Sequence, residues 1–269
     1  MSSVLYGVGD FLGGEGAKRV TAATVVMWAG VVSFPLIAVA ALITGGQAST
    51  TDLVLGGAGG TLGALGLVAL FAGLGRGHAA AVAPAAAAVG GVVPVVFAIV
   101  LGERLTTITW VGVAVAVPAI VLCSWVSETG DVPLGGVWYG VLAGAGFGAY
   151  AVLLDGTAEA SGLLPLVPAR AATTLTVLAV ALIGSFRIDP RRRVPVGIVV
   201  GNGVLDVSGN VALLLGLRVG SLASVAIAAS FYPAVTVLMA RFLNHEHIRV
   251  HQVVGLVLTV CALAAIAIG

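Results

Sequence analysis

Residues 21–44 read Thr-Ala-Ala-Thr-Val-Val-Met-Trp-Ala-Gly-Val-Val-Ser-Phe-Pro-Leu-Ile-Ala-Val-Ala-Ala-Leu-Ile-Thr, 24 consecutive positions without a charged side chain. A helix needs about 20 apolar residues, at about 1.5 Å of rise each, to cross the hydrocarbon of a bilayer. This stretch meets that length, and it lacks the period-two polar alternation of a membrane β-barrel strand. Leu53–Leu74, Ala79–Leu101 and Ile108–Val126 repeat the pattern. Backbone in lipid must satisfy its own hydrogen bonds, so these blocks are read as helices. Composition agrees. Of 269 residues 59% are hydrophobic and 9% charged, with mean hydropathy +1.16, whereas a water-soluble fold carries about 25% charged residues. The fold class is an all-α membrane protein, and its first partner is the lipid bilayer.

Working outward gives ten spans: Ser2–Ala17, Thr21–Thr44, Leu53–Leu74, Ala79–Leu101, Ile108–Val126, Gly136–Asp155, Gly162–Phe186, Pro195–Leu217, Ser221–Phe242 and Val250–Ile268. The connections are short and leave no soluble domain. A net charge of +1 gives no basic field for nucleic acid. Cys123 and Cys261 both lie inside apolar blocks and read as core residues, with no disulfide or metal pairing implied. No basic region precedes the first apolar stretch, so no cleavable signal is expected. That first span is short, holds Asp10 and Glu15, and begins almost at Met1, which points to a start codon upstream.

The chain also repeats itself. A shift of 143 residues aligns 69–119 with 212–262 without a gap, pairing Gly73 with Gly216, Gly77 with Gly220, Gly112 with Gly255 and Glu103 with Glu246. Small-residue matches arise easily in such a composition. The Glu pair carries more weight, because charges are rare here. Five spans per copy is an odd number, so the second copy enters the membrane from the opposite side. The expected architecture is two inverted five-helix repeats, residues 1–126 and 136–269, an arrangement typical of alternating-access carriers.

Val100-Leu-Gly-Glu-Arg-Leu105 followed by Trp110-Val-Gly112, and Ser230-Phe-Tyr-Pro-Ala-Val-Thr236 leading to Glu246, resemble the two EamA modules of the drug/metabolite transporter superfamily. Tyr6-Gly-Val-Gly-Asp-Phe-Leu-Gly-Gly14 and Gly203-Val-Leu-Asp-Val-Ser-Gly-Asn210 are similar to stretches of its bacterial members. The second module departs from the pattern, with Asn244-His-Glu-His-Ile248 where Leu-Gly-Glu-Arg is usual. The resemblance implies a ten-helix secondary carrier in the cell (inner) membrane, commonly an exporter of metabolites, amino acids or drugs, with no cofactor. It names no substrate.

Ionisable groups inside a membrane are costly, which makes each a functional candidate. Asp206 lies mid-way along the eighth span with Asn202 and Asn210 four residues to either side, a polar stripe on one helix face. The stripe is read as a substrate and proton site, or as an interhelical hydrogen-bond seam. On the first reading desolvated Asp206 exchanges protons and the two asparagines hold the substrate. Asp206→Asn is then expected to end pH-driven transport and spare the fold. Arg170 either pairs inward with Asp206 or snorkels to the interface. Asp10 is a third candidate, or an interfacial cap near Glu15 and Lys18. Ser230, Tyr232 and Thr236 flank Pro233 and either line a cavity or bond their own backbone. Gly56, Gly57, Gly59, Gly60, Gly63 and Gly66 read as a packing face. Trp28, Trp110, Trp125 and Trp138 near span ends suit an aromatic belt.

Two enzyme-like signals are weaker. His245-Glu-His247 with His251 is not HExxH, and only His247 and His251 share a face, so no metal site is assigned. Gly7-Val-Gly-Asp10 matches the GxGD of intramembrane aspartyl proteases, but no earlier span offers the second carboxylate such chemistry needs. A lipid flippase or scramblase on the same scaffold is a further alternative. Orientation draws two opposed readings. Loops after odd-numbered spans hold nine of the basic residues considered and loops after even-numbered spans two, Arg104 and Arg218, which puts both termini outside. The family resemblance implies cytoplasmic termini. Nothing in the sequence speaks to oligomeric state.

Overall fold

The computed structural model describes residues 1–17, 19–74, 79–102, 104–124, 134–182, 195–243 and 250–268. Among them the regular structure is entirely helical: α1 (Ser2–Ala17), α2 (Ala22–Thr44), α3 (Thr50–Leu74), α4 (Ala79–Val100), α5 (Thr107–Ser124), α6 (Leu134–Asp155), α7 (Leu166–Leu182), α8 (Val196–Val219), α9 (Leu222–Ala229), α10 (Tyr232–Leu243) and α11 (Val250–Ile268), with one 3-10 turn at Glu159–Ser161. Three stretches, Ala23–Thr44, Thr50–Leu70 and Val196–Val219, are long and apolar enough to cross a membrane. Large apolar side chains stay exposed on outer faces, among them Leu42, Ile43, Val54, Val96, Leu175 and Val257. In water such a surface would aggregate; against lipid it is the expected boundary.

Hydroxyl caps start the helices. Thr21 accepts from the Thr24 amide, Thr106 from Thr109 and Ser221 from Ser224. Ser49 and Asp52 form a reciprocal pair in which the Asp52 carboxylate takes the Ser49 amide and the Ser49 hydroxyl takes the Asp52 amide. Several span boundaries shift by a few residues, and two shifts have a clear local cause. α7 begins at Leu166 rather than Gly162, because Gly162 takes a left-handed φ of +53° and Pro165 carries no amide for an earlier turn. The ninth expected span is broken into α9 and α10 at Ser230-Phe231, just before Pro233.

The helices sort into two bundles by packing. α3 lies against α6 and α7, and α4 against α6; α8 lies against α1 and α2, and α10 against α1. Two further pairs, α2 with α7 and α4 with the α9 half of the broken span, join the bundles, and α5 packs on α11 beside them. Exchanging α1 with α6, α2 with α7, α3 with α8, α4 with α9–α10 and α5 with α11 turns the first set of contacts into the second and each of these further pairs into itself. Within the first bundle approach is very close. A side chain on Gly56 would meet the backbone of Pro165, and one on Gly60 the backbone of Ala169, so α3 needs glycine there to reach α7. α1 runs antiparallel to α8, with Tyr6 over Gly209 and Gly16 near Ile198. The Met1 end of α1 therefore shares a face with the end of α8.

Candidate substrate cavity

A cavity of about 220 Å³ lies between the bundles. The first bundle lines it with α3, α4, α6 and α7, through Gly60, Gly63, Ala87, Tyr150, Arg170 and Thr173 among others. The second bundle contributes Tyr6 and Asp10 of α1, Asp206 and Asn210 of α8, and Ser230 and Tyr232 at the α9–α10 break.

Its polar centre crosses from one bundle to the other. Arg170 Nη1 of α7 lies 2.6 Å from Asp206 Oδ2 of α8, with the two side chains 13% and 34% exposed. Arg170 thus turns inward rather than toward the interface. Asn210 Nδ2 donates to the Asp206 carbonyl at 2.7 Å and to Asp206 Oδ1 at 3.3 Å. The Tyr150 hydroxyl of α6 donates to Asn210 Oδ1 at 2.5 Å. Tyr150, Asn210, Asp206 and Arg170 therefore form one chain of hydrogen bonds and charge, anchored twice in each bundle. The Thr173 hydroxyl, one turn beyond Arg170, donates to the carbonyls of Gly60 and Ala169 and fixes α7 on α3.

The other expected residues divide. Asn202 does not line the cavity; its Nδ2 donates to the Gly9 carbonyl at 2.7 Å and pins α8 to α1. The reason is geometric. Four residues in a helix overshoot one turn by about 40°, so Asn202 and Asn210 diverge by about 80° around the axis and only one faces inward. Asn202 fits the seam reading, Asn210 both seam and cavity. Ser230 lines the cavity, yet its hydroxyl is committed to the Ala226 carbonyl at 2.9 Å. Asp10 is exposed along the cavity wall and makes no ion pair among the described residues. The side chain of Thr236 lies outside the described residues, as do Glu103, Glu246 and His245–His247. Among the described residues no group of three or more His, Cys, Asp or Glu is placed to hold a metal. Sequence reasoning missed Tyr150, Tyr6 and Phe147, since an aromatic in an apolar helix gives no sign of which face it occupies.

A sequence profile of the EamA-like transporter family matches residues 134–268, half of the chain. The chain belongs to the EamA-like transporter family. The match holds α6 through α11, and with them every member of the Tyr150–Asn210–Asp206–Arg170 chain. Among solved structures, one described only as "Crystal structure of protein" superposes on this EamA-like chain with a TM-score of 0.77 at 16% identity, covering 99% of this chain and 94% of the other. At that identity the likeness concerns the fold alone. No curated protein matches the sequence. EamA-like proteins are transporters, and the geometry argues against an aspartyl dyad in this one. Such a dyad needs two carboxylates sharing a proton, and Asp206 is engaged by a guanidinium instead.

Proposed function

We propose that this chain is a ten-span secondary carrier of two inverted five-helix repeats, residues 1–126 and 136–269, which exports a small metabolite, amino acid or drug by alternating access. The observation that carries the reading is the position of the Arg170–Asp206 pair, which bridges two exchange-related bundles across the cavity between them. A group so placed feels both the solute and the separation of the bundles. The exchange rule in the packing supports the inverted repeat, and five spans per copy, an odd number, would reverse the second copy's direction. Export and the inner membrane rest on the resemblance alone.

Size and charge narrow the solute. Engineered cavities of about 150 Å³ accept benzene, so about 220 Å³ suits a metabolite of amino-acid size. Among the described residues two carboxylates and one guanidinium face the space, and the guanidinium is already paired, which leaves Asp10 as the charge without an ion-pair partner. An amine-bearing solute fits that balance, with Tyr6, Tyr232 and Phe147 beside it for cation–π contact. Proton coupling falls to Asp10 rather than Asp206. Neutralising Asp206 would strand the mostly buried Arg170, whereas neutralising Asp10 strands no ion-pair partner among the described residues.

The test is uptake of labelled amino acids and amines into proteoliposomes with and without a pH gradient. Accumulation that follows the gradient and is lost in Asp10→Asn supports the carrier. Scrambling of fluorescent lipid with no solute uptake would replace it with the lipid-moving alternative.

A further inference from the structure

Arg218 lies in the last turn of α8 and is the charged residue nearest that helix end. Its guanidinium reaches out of the second bundle and forks onto the connection between α6 and α7. Nη1 donates to the Thr157 carbonyl, and Nη2 donates to Thr157 Oγ1 at 2.6 Å and to Ser161 Oγ at 3.4 Å. The target is held by hydrogen bonds on several sides. Thr157 and Ser161 are buried, and their hydroxyls donate back to the Leu154 and Ala158 carbonyls. The Ala158 amide is held by Asp52 Oδ1 at 2.7 Å, and the Ala160 carbonyl by the Gln47 amide at 2.6 Å. Asp52 is itself fixed by Ser49 at the start of α3. The turn is therefore bound to the start of α3 and to the α2–α3 connection, and Arg218 adds a side-chain tie from it to α8 of the second bundle.

A side chain that ties two bundles at the end of the cavity controls whether they can part there. We propose that Arg218 is the lock of the cavity at the Met1 face, so that release of its fork from Thr157 and Ser161 is the step that admits solute from that side. The inference adds a gating residue to the carrier reading, and it assigns the conformation seen here as closed at the Met1 face. A fork that uses two nitrogens on a carbonyl and a hydroxyl needs a planar guanidinium. Lysine keeps the charge and gives up the fork.

The test is accessibility, which needs no transported solute. In a chain with Cys123 and Cys261 replaced by alanine, Ser230→Cys reports the cavity, and membrane-impermeant maleimide is added from one side of sealed proteoliposomes at a time. The parent is expected to label mainly from the face opposite Met1. Arg218→Ala is expected to raise labelling from the Met1 face by about tenfold or more, with Arg218→Lys in between. Thr157→Val, which removes the hydroxyl and keeps the carbonyl, should give a smaller rise. Unchanged labelling from the Met1 face in folded Arg218→Ala overturns the lock. If Arg218→Ala does not fold, unchanged labelling in both Arg218→Lys and Thr157→Val does so. Solute uptake by the parent scores the carrier reading separately, so the two fail independently.

Discussion

Asp206 has two neighbours that compete for its meaning, the Arg170 guanidinium at 2.6 Å and the Asn210 amide at 3.3 Å. Removing its charge removes the counter-ion of a mostly buried arginine, so Asp206→Asn should cost stability, contrary to the expectation from sequence that the fold is spared. Breaking a fully buried pair costs about 3–5 kcal/mol; with Asp206 a third exposed, about 2–3 kcal/mol is expected. Thermal unfolding in detergent should show a fall that Asp206→Asn with Arg170→Gln largely restores. An additive loss in the double variant would mean that the ion pair is not the cause. Asp10→Asn behaves differently: unfolding stays near the parent's, while the response of uptake to a pH gradient disappears. Both acids were legible in the sequence, since a carboxylate inside an apolar block must serve some purpose. Tyr150 was not legible, because its role depends on where α6 meets α8.

The helices are held by close approach at chosen points. Gly60 faces the Ala169 backbone, and a methyl group there has no flexible side chain to displace. Gly60→Ala should therefore separate α3 from α7 at a cost of about 1–3 kcal/mol, and weaken the Thr173 hydroxyl's bond to the Gly60 carbonyl. Gly57→Ala, on the same helix with only the Pro168 side chain at 3.9 Å, serves as the control and should be near neutral. Equal losses in detergent melts would remove the packing account. The glycine face of α3 was readable, because small residues act through local geometry, whereas the ninth span was expected whole and breaks just before Pro233. The 3-10 turn at Glu159–Ser161 was not. Residues 156–165 look like an ordinary loop until Asp52 and Arg218 arrive from elsewhere in the chain.

For the whole molecule the sequence offered its architecture as arithmetic, an offset of 143 residues and five spans per copy. Among the described residues α3 packs on α6 and α8 on α1, a pairing of the form that the proposed exchange requires. If ten spans are right, tags at the two ends should be cleaved by protease from the same side of sealed vesicles, and opposite sides would rule out an even number. The two halves of the sequence differ at the proposed lock, however. In the 143-residue register Arg218 corresponds to Gly75, and the connection between the first two spans carries Lys18 and Arg19 where the α6–α7 turn offers Thr157 and Ser161. On the inverted-repeat proposal, the two copies thus differ in what their ends can hold.

That difference has a consequence for occupancy. A charge-assisted hydrogen bond contributes about 1.5–3 kcal/mol, and about 2.8 kcal/mol corresponds to a population ratio of about a hundred to one. With Arg218 forked onto Thr157, the state open at the Met1 face would be the rare one. Solute arriving there would meet about 1% of the molecules in a competent form, and its apparent dissociation constant would be about a hundredfold weaker than from the other side. One set of cavity contacts would then show two affinities, according to the compartment from which it is titrated. Gradients would still set net direction, but half-saturation on the two sides would be fixed by a guanidinium that never touches the solute.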